Sequence, residues 1–148
     1  MARADFTNVL KIFQGGEPSP EEKQELFKEV LLMTLARATS ADTNTKVVEV
    51  EAVQRVLGEV LGENVEATEI RVAAKSEAFE KTPLEKYLVK VGHKLDDKDR
   101  AVIIKSLTEV IRSDVRISPF EIEYFNMVSD ALGATPAELV GLSSDSTS

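Results

Sequence analysis

The residues with the most chemistry in them are carboxylates at a repeated spacing. Asp42, Glu49 and Glu51 read Asp, six residues, Glu, one residue, Glu; Asp114, Glu121 and Glu123 repeat that spacing 72 residues later. Carboxylate oxygens ligate hard divalent cations such as Ca²⁺, which take roughly six to eight of them, and paired carboxylates can also act as general acid and base. In a chain with 26 acidic residues such pairs also arise from composition, so spacing alone selects neither chemistry. Other reactive groups are scarce. The absence of cysteine excludes disulfides, thiolate zinc sites and cysteine nucleophiles. The only histidine, His93, follows Gly92 at a helix end, where a solvated or capping role is usual. No serine sits in a nucleophile elbow, and the glycines form no phosphate-binding loop.

The elements that must position these acids repeat as well. A shift of 72 residues places Leu35 on Leu107, Asp42 on Asp114, Glu49 on Glu121, Val50 on Ile122, Val53 on Phe125 and Val56 on Val128. A gapless match of this kind reads as two related helical hairpins, spanning 20–61 and 96–132, packed about a pseudo-two-fold axis. If the two copies face each other, their acids can supply several ligands to one cation.

Four of the five prolines punctuate the helices. Ser19-Pro20-Glu21-Glu22, Thr82-Pro83-Leu84-Glu85, Ser118-Pro119-Phe120-Glu121 and Thr135-Pro136-Ala137-Glu138 each place a hydroxyl, then proline, then glutamate at the capping-box spacing. The hydroxyl accepts from the third helical amide, proline fills the position whose N–H has no partner, and glutamate reaches back to the cap. Phe6, Val9, Leu10 and Phe13 predict a short first helix that stops at Gly15-Gly16 and docks as an arm. From Pro20, the set Leu26, Phe27, Val30, Leu31, Thr34, Leu35 and Ala38 makes one apolar stripe about five turns long.

Residues 47–61 are rich in β-branched side chains, but Val50, Val53, Leu57, Val60 and Leu61 keep the helical period and Gly62 fits its cap. Asn64 opens a fourth helix to about Lys81, carried by Val65, Ile70, Ala73 and Ala74. A fifth runs from Pro83 to Gly92 on Leu84, Leu88 and Val91. Asp96 caps a sixth, apolar over most of its circumference and therefore central; the run Asp96 to Asp99 suits the positive end of its dipole. Phe120, Tyr124, Phe125, Val128, Ala131 and Leu132 define a seventh, closed by Gly133, and a last short turn runs from Pro136 to Gly141. The expected fold is all-α, with seven to eight helices in a single domain over residues 1–141, of which 1–16 are the arm. Residues 142–148, rich in Ser, Thr and Asp, read as a disordered tail.

With 26 acidic against 18 basic residues the formal charge is -8, which disfavours nucleic acid and anionic lipid as partners. Apolar runs do not exceed four residues, so no direct membrane insertion is expected, and no signal-peptide core follows Met1. A cytoplasmic protein is the simplest reading.

The segment Ser113-Asp114-Val115-Arg116-Ile117-Ser118-Pro119-Phe120-Glu121, followed by Phe125 to Pro136 with its Ala131-Leu132-Gly133, resembles the TerB-like domain of bacterial tellurite-resistance proteins and of certain membrane-tethered J-domain co-chaperones. Leu35 to Glu49, with Ala41-Asp42 in register, resembles a first copy, so the likeness covers 20–61 and 96–141. It implies an all-helical, non-enzymatic interaction module of a tellurite or stress-resistance system, with other proteins as partners. By position match it also implies a weak divalent-cation site, for Ca²⁺ or Mg²⁺, at Asp42, Glu49, Asp114 and Glu121. The family's glycine after each aspartate is replaced here by Thr43 and Val115, and Thr45 replaces an aliphatic residue.

Each acid also has a plain structural reading. Asp114 can bond amides of its own turn, and Glu121 is accounted for by the box with Ser118. Glu49 lacks such a box because position 46 is lysine. A purely structural adaptor without metal is the alternative function, and a carboxylate-based hydrolase ranks last for want of a nucleophile or ligand set.

Overall fold

Ser19 and Ser118 start their helices as the capping-box pattern dictates, each hydroxyl accepting from the amide three residues on while that residue's carboxylate accepts from the cap amide. The computed structural model describes residues 5–39, 49–113 and 117–133. Among them lie eight helices and no strand: α1 (Thr7–Phe13), α2 (Pro20–Arg37), α3 (Val50–Leu61), α4 (Ala67–Ala74), α5 (Ala78–Lys81), α6 (Leu84–Gly92), α7 (Asp97–Arg112) and α8 (Pro119–Leu132). The all-α class is as expected. Gly62 and Gly133 end α3 and α8 with positive φ of 68° and 73°.

The central helix is α2, which packs against α1, α3, α4 and α7. The sequence predicts one stripe here, but Leu32, Met33 and Ala36 are buried as well, so from Glu29 to Ala36 the helix is enclosed on every side. The expected central helix, α7, buries Ile103, Ile104, Ser106, Leu107, Val110 and Ile111 but leaves Ala101 exposed. In α3 the inward face is Ala52, Val53, Val56 and Leu57, while Val60, expected inside, is 36% exposed. The repeat is visible in burial: Leu35 and Leu107, Val53 and Phe125, and Val56 and Val128 are all fully enclosed.

Two boundaries differ from expectation. The single helix from Asn64 to Lys81 is two, α4 and α5, because Ser76 Oγ accepts the Ala78 N–H at 3.2 Å and starts a new turn. This local bond competes with continuation of the helix. Glu66, not Asn64, is the cap residue of α4. The box at Thr82 does not form; Pro83 is itself the cap residue of α6, because Thr82 directly follows the last residue of α5 and remains extended at φ -135° and ψ 123°. The box at Thr135 and the tail lie outside the described residues.

A buried carboxylate that the periodic reading overlooks joins α1 to α2. Glu29 is 5% exposed, and its Oε1 accepts the backbone N–H groups of Asn8 at 2.9 Å and Val9 at 3.0 Å, while Oε2 accepts from Asn8 Nδ2 at 2.7 Å. It serves as a cap for α1 from across the fold, where the cap residue Phe6, at φ 52°, makes no side-chain capping bond. Burial pushes the Glu29 carboxyl above its ordinary value, with the three N–H donors opposing that shift. At the near end of the same pair of helices, Lys11 Nζ lies 2.6 Å from Glu22 and holds that carboxyl down to about 2.

Glu29→Ala is expected to lower unfolding free energy by about 2–4 kcal/mol in urea titration, because it strands first-turn donors, and Glu29→Gln by less than half of that. The folded state retains the Glu29 proton beyond the pH at which the unfolded chain releases it. Wild type should therefore lose stability relative to Glu29→Gln as pH rises through the raised folded value. Two other enclosed groups cost rather than contribute: Thr34 Oγ1 and Ser129 Oγ have no hydrogen-bond partner among the described residues. Thr34→Val and Ser129→Ala should each be neutral or raise stability by up to about 1 kcal/mol, read from the urea midpoint.

Candidate functional site

The second acidic turn lies between the end of α7 and the start of α8. There the Ser118 N–H donates to Glu121 Oε1 at 2.8 Å and the Glu121 N–H donates to Ser118 Oγ at 3.2 Å. Pro119 at the first helical position loses no bond by lacking an N–H. Glu121 is only 1% exposed, so a carboxylate is held at fixed orientation inside the protein at this helix start. Its sequence counterpart differs. Glu49 is the cap residue of α3, is exposed and makes no side-chain capping bond, consistent with Lys46 standing where Ser118 stands in the other copy. Asp42 and Asp114 lie outside the described residues. Of the four acids expected as ligands, the structure thus describes two, one enclosed and one open.

Two polar contacts tie α2 to the two helices, α7 and α8, on either side of the second acidic turn. Lys23 Nζ sits 3.0 Å from Asp96 Oδ1 and ties the first turn of α2 to the start of α7. Asp96 gives its carboxylate to this pair and makes no capping bond to its own helix; Asp97 pairs instead with Arg100 in the first turn of α7. At the opposite end the Tyr124 hydroxyl donates to the Thr34 carbonyl at 2.6 Å, seating the second turn of α8 on the last turn of α2. The chain therefore leaves α2 beside the point where α8 begins. Burial pushes the Tyr124 phenol well above its ordinary value, so it stays a protonated donor.

Beside this end lies an open groove lined by Arg37, Phe79, Leu84, Phe120, Tyr124 and Met127. Phe120 and Tyr124 stack with ring centroids 6.1 Å apart. Across from them the Arg37 guanidinium lies 4.5 Å over the Phe79 ring while its Nη1 donates to the Ala74 carbonyl at 2.8 Å. Helical periodicity gave Phe120 and Tyr124 as packing residues; Phe79 and Arg37 carried no periodic signal. His93, at the α6 end, borders a separate shallow depression with Glu17, Lys23 and Lys94. Among the described residues no group of three or more His, Cys, Asp or Glu side chains is placed to hold a metal ion. Among them also, no helix is long and apolar enough to cross a membrane.

In comparison with known proteins, residues 28–143 match the family described as Tellurite resistance protein TerB. No curated protein and no solved structure matches the chain.

Tyr124→Phe should cost about 1–2 kcal/mol, because it leaves a buried carbonyl of α2 without its donor, and Ser118→Ala should cost about 1 kcal/mol through loss of the cap. Urea unfolding of the two single variants checks both values. The double variant reports whether the two ends of this contact act as one unit, since coupled neighbours depart from additivity.

Proposed function

Because the chain belongs to the TerB family, whose members are non-catalytic, we propose that it is a protein-interaction module of a bacterial tellurite or stress-resistance system. The single observation that carries this reading is the family match over most of the chain. In this reading residues 1–141 act as one domain, 1–16 as its helical arm and 142–148 as a tail, in the cytoplasm.

We further propose that Asp42, Glu49, Asp114 and Glu121 form a weak site for Ca²⁺ or Mg²⁺. Support comes from Glu121, a preorganised and enclosed carboxylate, and from the contact of Tyr124 with Thr34, which sets the last turn of α2, just before the first acidic segment, beside α8. A hard cation would draw its oxygens from two turns and link them, with waters completing its shell. Exposed Glu49 would join as the cation enters, while Glu121 already stands in place. The alternative is an adaptor without metal, and the aromatic groove beside the same turns favours it: half-buried Phe120, Tyr124 and Met127 offer a protein partner apolar contact area that needs no ion.

Titration of the whole protein with CaCl₂ or MgCl₂, followed by amide NMR, separates the two. The cation site predicts shifts confined to residues 39–49 and 112–121 at about millimolar ion, lost in Glu121→Gln together with Glu49→Gln. Absence of shifts at that concentration removes the cation and leaves the adaptor.

A further inference from the structure

On another face, and independently of the cation site, α1 rests in a trough formed by α2 and α6. Its inward residues Phe6, Val9 and Ile12 are buried, and Phe13 packs on the Tyr87 ring of α6 at 4.7 Å between centroids. A seven-residue helix does not persist alone in water, so the trough supplies the structure of α1.

How that helix is recognised is unusual. Phe6, at its cap position, makes no side-chain capping bond and holds a left-handed backbone conformation that costs on the order of a tenfold population penalty for a residue with a side chain. The first-turn amides are instead received by Glu29, an enclosed carboxylate belonging to α2. Recognition of the helix start is thus built into the trough. At the other end Gly16 N–H donates to the Lys11 carbonyl and Gly15 N–H to the Ile12 carbonyl, with Gly15 at φ 104°, which terminates the helix cleanly. Residues 14–19, outside any helix, join it to α2. The family match starts at residue 28, so α1 lies outside it while Glu29 and α6 lie within.

We propose that α1 is a removable occupant of a helix-docking trough, and that in its absence the trough takes an amphipathic helix with the same spacing of Phe, Val and Ile whose first-turn amides face Glu29. The short tether keeps α1 at an effective concentration of about millimolar, so a competing helix enters only when it binds more tightly or when the arm is released. The arm then acts as a built-in competitor that sets the threshold for a partner helix.

The test uses the full chain with a protease site inserted between Gly16 and Glu17, and a fluorescent synthetic peptide of residues 1–16 as probe. After cleavage the protein should keep its cooperative unfolding transition and take up the labelled peptide. The uncleaved chain should bind it at least about 100-fold more weakly, as a tethered competitor requires. Glu29→Ala in the cleaved chain should weaken uptake about tenfold or more, because the helix start loses its acceptor. Loss of cooperative folding on cleavage, or a folded cleaved chain that takes up no peptide, would overturn the proposal and make α1 an inseparable part of the core. Equal uptake by Glu29→Ala would overturn the assignment of Glu29 as the recognition group.

Discussion

In a protein made of short helices, the ends decide the structure. Each helix leaves up to four amides at its start and four carbonyls at its end without internal partners, and among the described residues no helix exceeds the 18 residues of α2. This chain meets much of that demand with side chains sent across from other elements. The Tyr124 hydroxyl donates to the Thr34 carbonyl in the last turn of α2, and Arg37 donates to the last carbonyl of α4. The Tyr87 hydroxyl donates to the Ala78 carbonyl of α5 at 2.6 Å, Arg100 reaches the last carbonyl of α6 at 3.3 Å, and Glu29 accepts from the start of α1. Both tyrosines of the chain are used in this way.

The consequence is geometric as well as energetic. Apolar burial holds α2 in the middle but is indifferent to small rotations and slides; a hydrogen bond to a helix end is not. Glu29, the Thr34 carbonyl and Arg37 lie along the second half of α2 and fix α1, α8 and α4 in turn. The position of the start of α8, and with it Glu121, therefore follows from an arrangement set on α2. A substitution in α2 far from Glu121 can shift it without touching it.

Much of this was legible in the sequence where the cause is local. The boxes at Ser19 and Ser118, the arm at Phe6 to Phe13 and the glycine ends of α3 and α8 depend on neighbours a few residues away. Glu29 was not legible as a cap, because its partners lie 20 and 21 residues upstream. A signal existed: it shares the spacing of Leu26, Val30 and Met33, so a charge stood on an inward face. The stretch from Val30 to Ala36, apolar but for Thr34, likewise marked a helix enclosed on all sides, which a search for one stripe passes over. Thr82 had every residue of a box and still failed, since the short helix directly before it left no room for the cap geometry. Of the site, the enclosed Glu121 and the unboxed Glu49 follow from reading Ser118 against Lys46, whereas the contact that sets α8 beside the last turn of α2 spans 90 residues and carries no local signal.

The difference between Glu49 and Glu121 is the informative part of the 72-residue match. Equal spacing would suggest equal roles, yet one serine at position 118 against a lysine at position 46 separates them. The serine and proline lock one carboxylate into the first turn of a helix, where its desolvation is already incurred in the fold and no side-chain freedom is left to lose. The other carboxylate is exposed and makes no capping bond, with both costs still ahead of any contact it makes. In the proposed cation site such a pair would divide the work: the enclosed acid would set the position of the ion, and the open one would respond to it. An acidic pair with two enclosed members would repel itself in the empty state, and one with two open members would define no position. Under that proposal the asymmetry would favour a weak, reversible contact over the tight one that two enclosed acids would need, whether the arriving group is an ion or a basic side chain of a partner.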